Sequence, residues 1–585
     1  MRIGLLTEGG DPYAPGESYL WCDRLVRGLT GHEFDIYALT DGTHRAAGHC
    51  PAPPPQVRRV RRAPLDGPAP TGQDRRHDDR HRPPARRERR RFAQHFGDLA
   101  AAFAAPGTQV GAAAATDPAT GEADRFAAGL YGLADLARDT HLAALLRSED
   151  TLRILERACR APGALPAAHA AQLPDLLAVT DHVSRALRPL SLDWYGGDGT
   201  PGLAAADLCH TTSTGPAALP GLLAKRFFGT PLLVTEYGAR LREHYLARAA
   251  TPLSAPVRAL LAAFRKALAA ETYAQAALIT PGHTRTRRWQ ERCGADPARL
   301  RTVHPGLDAA PFAAVPDAAA DDSATLMWVG AVEPAKDLVG LLHAFAAVRT
   351  AVPHATLRLI GGPSDDPEAP GYLAHCRALA GQLFPGGAAG ARTSARSPVS
   401  FEEAGGPAAP TPADVYASGT VLVLPSRAED FPRPLVEAMF CGRATVSTDV
   451  GAVCEVIGGT GLVVPARDPR ALADACCALL RDPARRARLG AAARARALEL
   501  FTTERNTAAF RGIYLELISR APARPAAPHA ARPPVAPRPF ARPAEAHVPG
   551  HWAATGTAAR PAARTPSWAA PGPHRPAAAA RGDRT

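Results

Sequence analysis

Residues 421–447 read VLVLPSRAEDFPRPLVEAMFCGRATVS, and the order of elements in this stretch decides the fold. VLVLP is a short unbroken apolar run, the pattern of a strand buried on both faces. A loop follows, and Pro432 and Pro434 suit the first turn of a helix that runs over 434–441. Residues 444–447 then read as a second buried strand.

The same alternation extends in both directions. Strands are predicted at 325–329, 356–360 and 461–464, with helices at 337–350, 371–383 and 470–480. Alternation at this spacing implies a parallel sheet covered on both faces. A Pro/Ala/Asp-rich stretch, 309–322, separates this lobe from an earlier one. The earlier lobe opens with a strand at 2–6, a Gly/Pro-rich loop at 7–17, a helix at 18–29 and a strand at 34–39, the start of a doubly wound domain. Strands at 207–210, 231–235, 277–280 and 300–303 resume the pattern, with helices at 216–228 and 257–276.

The expected organisation is therefore a doubly wound lobe over 1–308 and a second over 323–482. Within the first lie an Arg/Pro-rich insertion (50–92) and an Ala/Leu-rich helical insertion (93–190). Helices over 483–519 are expected to pack back toward the first lobe, and 520–585 reads as a disordered Pro/Ala/Arg-rich tail.

Composition narrows the function classes. The 585 residues exceed one hydrophobic core. The net charge of +12 suggests a nucleic-acid binder until its location is examined. Residues 50–92 hold thirteen Arg against five acidic residues, and 520–585 hold ten against two. The rest of the chain is net acidic. Neither basic segment carries the interleaved aromatics of a base-stacking surface, so solvated linker is the expected reading and no nucleic-acid partner is expected. The ten cysteines form no CxxC pair. No run approaches the roughly 18 apolar residues of a membrane span. A cytoplasmic protein with reduced thiols is expected. No His/Asp/Glu cluster has metal-ligand spacing, and Asp365-Asp366 reads as a turn between prolines, so no metal and no cofactor are expected.

In the opening stretch Glu429 lies in the loop and Glu437 inside the helix. A helix N-terminus offers unpaired N–H groups to a diphosphate. A loop carboxylate can accept hydrogen bonds from sugar hydroxyls, and a carboxylate inside the helix can take both hydroxyls of a ribose.

The ordered string of strand, PSRAEDFP, helix and EAMFCG resembles the donor site of retaining glycosyltransferases of family 4, which have the GT-B fold. WVGAVEPAKD (328–337) is similar to that family's turn after the first strand of the C-terminal lobe, and 447–475 is similar to its closing section. TEGGDPYAPGESYLWCDRLVRGL, HTTSTGPAALPGLLAKRFFGTPLLVTEYGARLREHYL, LRTVHPGLD and LIGGPSDDPEAPGYLAHCRAL together resemble the PelF-like branch, associated with exopolysaccharide synthesis and UDP-sugar donors. The resemblance covers most of 2–509, outside the Arg-rich insertion.

It implies a metal-independent transferase moving a sugar from a nucleotide-sugar donor to a glycan or small hydroxyl acceptor, with peripheral membrane or polysaccharide-complex association open. Implied catalytic residues are Glu429, Lys336 and Tyr237. Implied donor contacts are Gly16, Gly330, Lys336, Glu429, Asp430, Phe431, Leu435 and Glu437. His210, Arg240 and His244 are acceptor-side candidates, although a histidine placed like His210 is more often simply hydrogen-bonded at a strand end. The chain departs from the family pattern at Glu17, at Ala331 where a phosphate-binding Arg is usual, and at Tyr237 where a His is usual. The family's N-G-[IV]-D turn reads His304-Pro305-Gly306-Leu307-Asp308. A catalytically degenerate member that binds nucleotide or glycan, or scaffolds a complex, is the second reading of the same residues.

Overall fold

The computed structural model describes residues 1–8, 17–40, 53–65, 85–105, 118–196, 202–238, 241, 244, 253–315, 323–364, 366–385 and 397–521, with backbone alone at 17–19 and 118–120. Gly16, Arg240, Asp365 and nearly all of the expected tail lie outside these residues, as does the side chain of Glu17.

Two parallel six-stranded sheets organise the chain. The first contains β1 (Arg2–Glu8), β2 (Glu33–Thr40), β3 (Val57–Pro64), β4 (Leu208–Thr211), β5 (Leu232–Glu236) and β6 (Leu278–Pro281), in the order β3-β2-β1-β4-β5-β6. The second contains β7 (Thr325–Ala331), β8 (Thr356–Gly362), β9 (Val399–Glu403), β10 (Val421–Leu424), β11 (Ala444–Thr448) and β12 (Leu462–Val464), in the order β12-β11-β10-β7-β8-β9. Read within its own lobe, the second order is the same as the first. Both reverse direction between their first and fourth strands, and ligands of open α/β sheets bind beyond the carboxyl ends of strands at such a switch point. Those points are β1/β4 and β7/β10.

Each sheet is buried on both faces. The helices Arg86–Ala104, Pro118–Asp139, Glu149–Cys159 and Leu173–Ala186 cover one face of the first sheet, adding Phe92, Phe96, Phe103, Phe126 and Leu130 to its core. The other face is closed from the far end of the chain: the helix Thr503–Arg520 places Phe510, Ile513, Tyr514 and Leu517 among Ile3, Leu5, Trp21 and Leu233. Burying each such large side chain stabilises by about 1.5–3 kcal/mol. A Cβ on Gly28 would lie 2.6 Å from Thr507, so the first helix and this last one pack backbone-close.

Three elements differ from the sequence expectation. Val57–Pro64, inside the expected Arg/Pro-rich insertion, is an edge strand parallel to β2. Val57 and Val60 pack on the core and Ala63 is fully buried, while Arg58 pairs with Glu33 and Arg61 donates to the Asp193 carbonyl. Val57 and Val60 face the Ile3 side of the sheet and Ala63 the Leu6 side, so few apolar residues among four arginines suffice for an edge strand. The helix Arg86–Ala104 likewise begins inside that segment. Residues 300–303 form no strand; only an isolated bridge joins Leu300 to Ile279.

Candidate active site

The β7/β10 switch point brings two loops together. The turn after β7 carries Lys336, whose Nζ donates to both oxygens of Glu429, at 2.8 and 3.1 Å, in the loop after β10. Ser426 donates to the same carboxylate at 3.1 Å. Backbone bonds hold the loops in register: Arg427 N–H reaches the Ala335 carbonyl at 2.8 Å, and Arg427 lies 3.7 Å from Asp337. Asp337 sits in the left-handed region with φ 50° and caps the helix Leu338–Ala351 through the Gly340 N–H. Burial pushes the Glu429 carboxyl above the usual range, with Lys336 and Ser426 pulling it back.

Glycine sets how closely the backbone approaches here. Gly330 and Ala331 end β7 opposite Gly361 and Gly362 of β8. Gly451 has φ 58°, and a Cβ there would lie 1.9 Å from the Glu429 carbonyl oxygen. The next residue, Ala452, donates its N–H to the Asp430 carbonyl at 3.1 Å. The loop after β11 therefore backs the Glu429 loop directly.

Glu437 projects from the helix Arg433–Phe440. Tyr416, fully buried, donates its hydroxyl to Oε2 at 2.7 Å, and Arg433 donates Nε to Oε1 at 2.7 Å. Leu435 is fully buried in the core beneath, and Phe431 packs edge-on against Phe501. Lys336, Glu429 and Asp430 thus lie at the carboxyl ends of β7 and β10, Glu437 stands one turn into the helix that follows, and Leu435 is buried beneath.

In the first lobe the candidates separate. His210 on β4 has no exposed surface. Its Nδ1 meets the Tyr514 hydroxyl at 2.7 Å and its Nε2 the Thr235 hydroxyl at 2.6 Å, and burial lowers its pKa to about 3. Of the two readings open in the sequence, the strand-end one applies: His210 joins β4 to the last helix and does not line a cleft. Tyr237 is partly buried, edge-on to Trp21, and accepts from Asn506 Nδ2 at 3.0 Å; burial raises its pKa well above the ordinary phenol value. His244 bonds the Arg258 carbonyl and pairs with Arg265.

Sequence reasoning passed over four groups. Glu8, at the end of β1, accepts from Ser213 Oγ and the Ala217 N–H at 3.1 and 3.2 Å, fixing the loop after β4 at the other switch point. Its signal was a carboxylate at a strand end before a glycine pair. Tyr416 and Arg433 grip Glu437, and only the i, i+4 spacing of Arg433 was legible. Glu455 accepts from the Thr284 N–H at 2.7 Å and lies 3.8 Å from His304, joining the second lobe to a helix start of the first. Among the described residues there is no group of three metal-capable side chains.

Two Rossmann-like parallel sheets joined in this way are the GT-B fold, and comparison with known proteins agrees. Residues 323–482 match the glycosyl transferases group 1 family, and residues 1–298 match a family described as a domain of unknown function, DUF3492. The latter match spans half the chain, which belongs to that family. Among curated relatives, the D-inositol 3-phosphate glycosyltransferase of Nocardioides sp. is 31% identical over 292 residues, covering 47% of this chain and 59% of the relative. That of Thermobispora bispora is 31% identical over 319 residues, covering 51% and 68%. The chain spans 47–59% of the length of the first three such relatives. Among solved structures, sucrose-phosphate synthase from Thermosynechococcus elongatus superposes with a TM-score of 0.51 at 17% identity, covering 88% of this chain and 99% of that one. HepE of Anabaena in complex with UDP gives 0.50 at 13%, covering 88% and 100%. At these identities the likeness is one of fold. No helix among the described residues is long and apolar enough to cross a membrane.

Proposed function

We propose that this chain transfers a sugar from a nucleotide-sugar donor, most simply a UDP-sugar, to a hydroxyl acceptor, with retention of configuration. The observation that carries the reading is the Lys336–Glu429 pair, 2.8 Å at its shortest, with Glu437 eight residues beyond Glu429 at the same switch point. Glu437 accepts the ribose hydroxyls. Lys336 neutralises part of the diphosphate charge, beside the positive end of the helix Arg433–Phe440. Glu429, freed from Lys336 by the arriving phosphate, turns to the hydroxyls of the transferred sugar. The bond from the anomeric carbon to the phosphate oxygen breaks as the acceptor oxygen bonds to that carbon on the same face, and the leaving phosphate takes the acceptor proton. Catalysis is then positioning and charge stabilisation.

The acceptor is a glycan or polyol hydroxyl. Resemblance to the PelF-like branch favours exopolysaccharide synthesis, and similarity to the inositol phosphate enzymes favours a small phosphorylated polyol. Tyr237 favours a second reading, binding without turnover: its hydroxyl is committed to Asn506 and it offers no imidazole chemistry near neutral pH.

Release of nucleoside diphosphate from UDP-glucose, GDP-mannose and ADP-glucose, with oligosaccharide or inositol phosphate acceptors, tests the proposal. Lys336→Ala removes one charge-assisted contact, about 1.5–3 kcal/mol, so transfer falls about 10- to 100-fold. A wild-type chain that binds a nucleotide yet never releases nucleoside diphosphate from its sugar conjugate would establish the second reading.

A further inference from the structure

We infer that Arg433 is a diphosphate ligand of the donor site, held in reserve on Glu437 and exchanged onto the phosphates as the ribose arrives; this rests on the donor-site reading above. Arg433 opens the helix Arg433–Phe440. A cation in the first turn opposes the helix dipole, and a basic residue four places before a glutamate is the less favourable order for a helical ion pair. Helix stability therefore does not explain the residue.

The two groups on Glu437 are unlike. Tyr416 is fully buried, whereas the Arg433 side chain is 41% exposed and the Glu437 side chain 15%. Hydroxyls approaching Glu437 from solvent meet the Arg433 side of the carboxylate, because the other oxygen is held from the interior by Tyr416. Ribose binding thus displaces Arg433 and leaves Oε2 on Tyr416. The released guanidinium stands at the start of a helix whose first N–H groups, on Arg433 and Leu435, are already taken by the Phe431 and Pro432 carbonyls, and its planar fork suits two phosphate oxygens.

The site also lacks charge. Position 331 is Ala, beside Gly330, Gly361 and Gly362, so the end of β7 offers no cation. Lys336, released from Glu429 as the phosphate arrives, supplies one positive charge. A diphosphate carrying about two negative charges needs a second cation, and the exchange supplies it without leaving a bare guanidinium in the empty site.

The exchange makes nucleoside and nucleotide respond in opposite directions. The full-length wild type, Arg433→Ala and Arg433→Lys are titrated with whichever of UDP, GDP and ADP the wild type binds, and with the parent nucleoside. Arg433→Ala should weaken the diphosphate at least tenfold while binding the nucleoside as tightly as wild type or more so, since the ribose no longer displaces a partner from Glu437; Arg433→Lys should fall between for the diphosphate. Equal weakening of both ligands would make Arg433 only a support for Glu437, and an unchanged diphosphate affinity would remove it from the site. Either result overturns the inference while the donor site stands, whereas a folded wild type binding none of the three nucleotides overturns both.

Discussion

A Gly451→Ala chain is expected to lose nucleoside diphosphate binding by at least 100-fold while remaining folded. Gly451 has φ 58°, and its added methyl group would sit 1.9 Å from the Glu429 carbonyl oxygen. An L-residue in the left-handed region costs about 1–2 kcal/mol, and the overlap adds to it. Relief comes only by moving one of two backbones. Lys336, Ala335 and Ala452 all hold the Glu429 loop, so a shift of that loop breaks these contacts, and a misplacement of about an ångström is enough to cost a large factor in binding. Gly459→Ala is the control: its φ is 87° but nothing lies within 4 Å of the added Cβ. That variant should lose only the conformational part of the stability and keep nucleotide affinity. Equal affinity in both variants would mean that the Glu429 loop is not part of the binding site.

The second large effect is acid destabilisation centred on His210. Thr280 donates to the Val234 carbonyl at 3.2 Å, so Thr235 must donate to Thr280, and its oxygen is left to accept from His210 Nε2. Nδ1 is then unprotonated and accepts from Tyr514. A second proton on the ring would set an N–H against the Tyr514 hydroxyl and bury a charge among Trp21 and Phe510. The folded pKa of about 3 lies below the unfolded value of about 6.5. Between these limits the unfolded chain binds more protons, so stability is present above pH 6.5 and is lost as pH falls toward 3. One such group costs about 1.4 kcal/mol per pH unit and on the order of 5 kcal/mol in total. Denaturant unfolding at pH 7, 6, 5 and 4 should show this slope, reduced by about one proton in His210→Gln. Identical slopes in the two chains would mean that the buried ring titrates freely.

The sequence made some of this legible and hid the rest for physical reasons. The second lobe was readable because parallel strands buried on both faces are unbroken apolar runs, such as VLVL before the Glu429 loop and ATVST after it. β3 was hidden because an edge strand buries few side chains, and four arginines in VRRVRRAP outweigh Val57, Val60 and Ala63 in any compositional reading. The nature of His210 was undecided because burial depended on a helix about 300 residues away. Tyr416 escaped notice for a similar reason, lying 21 residues before the carboxylate it grips. Within the candidate site, spacing alone placed Glu429 and Glu437 on a loop and helix, but no local pattern revealed that Lys336 already occupies one and Arg433 the other.

The measurement that bears most directly on the donor site is calorimetric titration of the full-length chain with UDP, GDP and ADP, without added metal, beside Glu437→Ala. The account predicts selective binding of one nucleotide, weakened at least about 100-fold in the variant through loss of two charge-assisted bonds of about 1.5–3 kcal/mol each to the ribose. Undiminished affinity in a folded Glu437→Ala chain, or no binding of any nucleotide by a folded wild type, would contradict it.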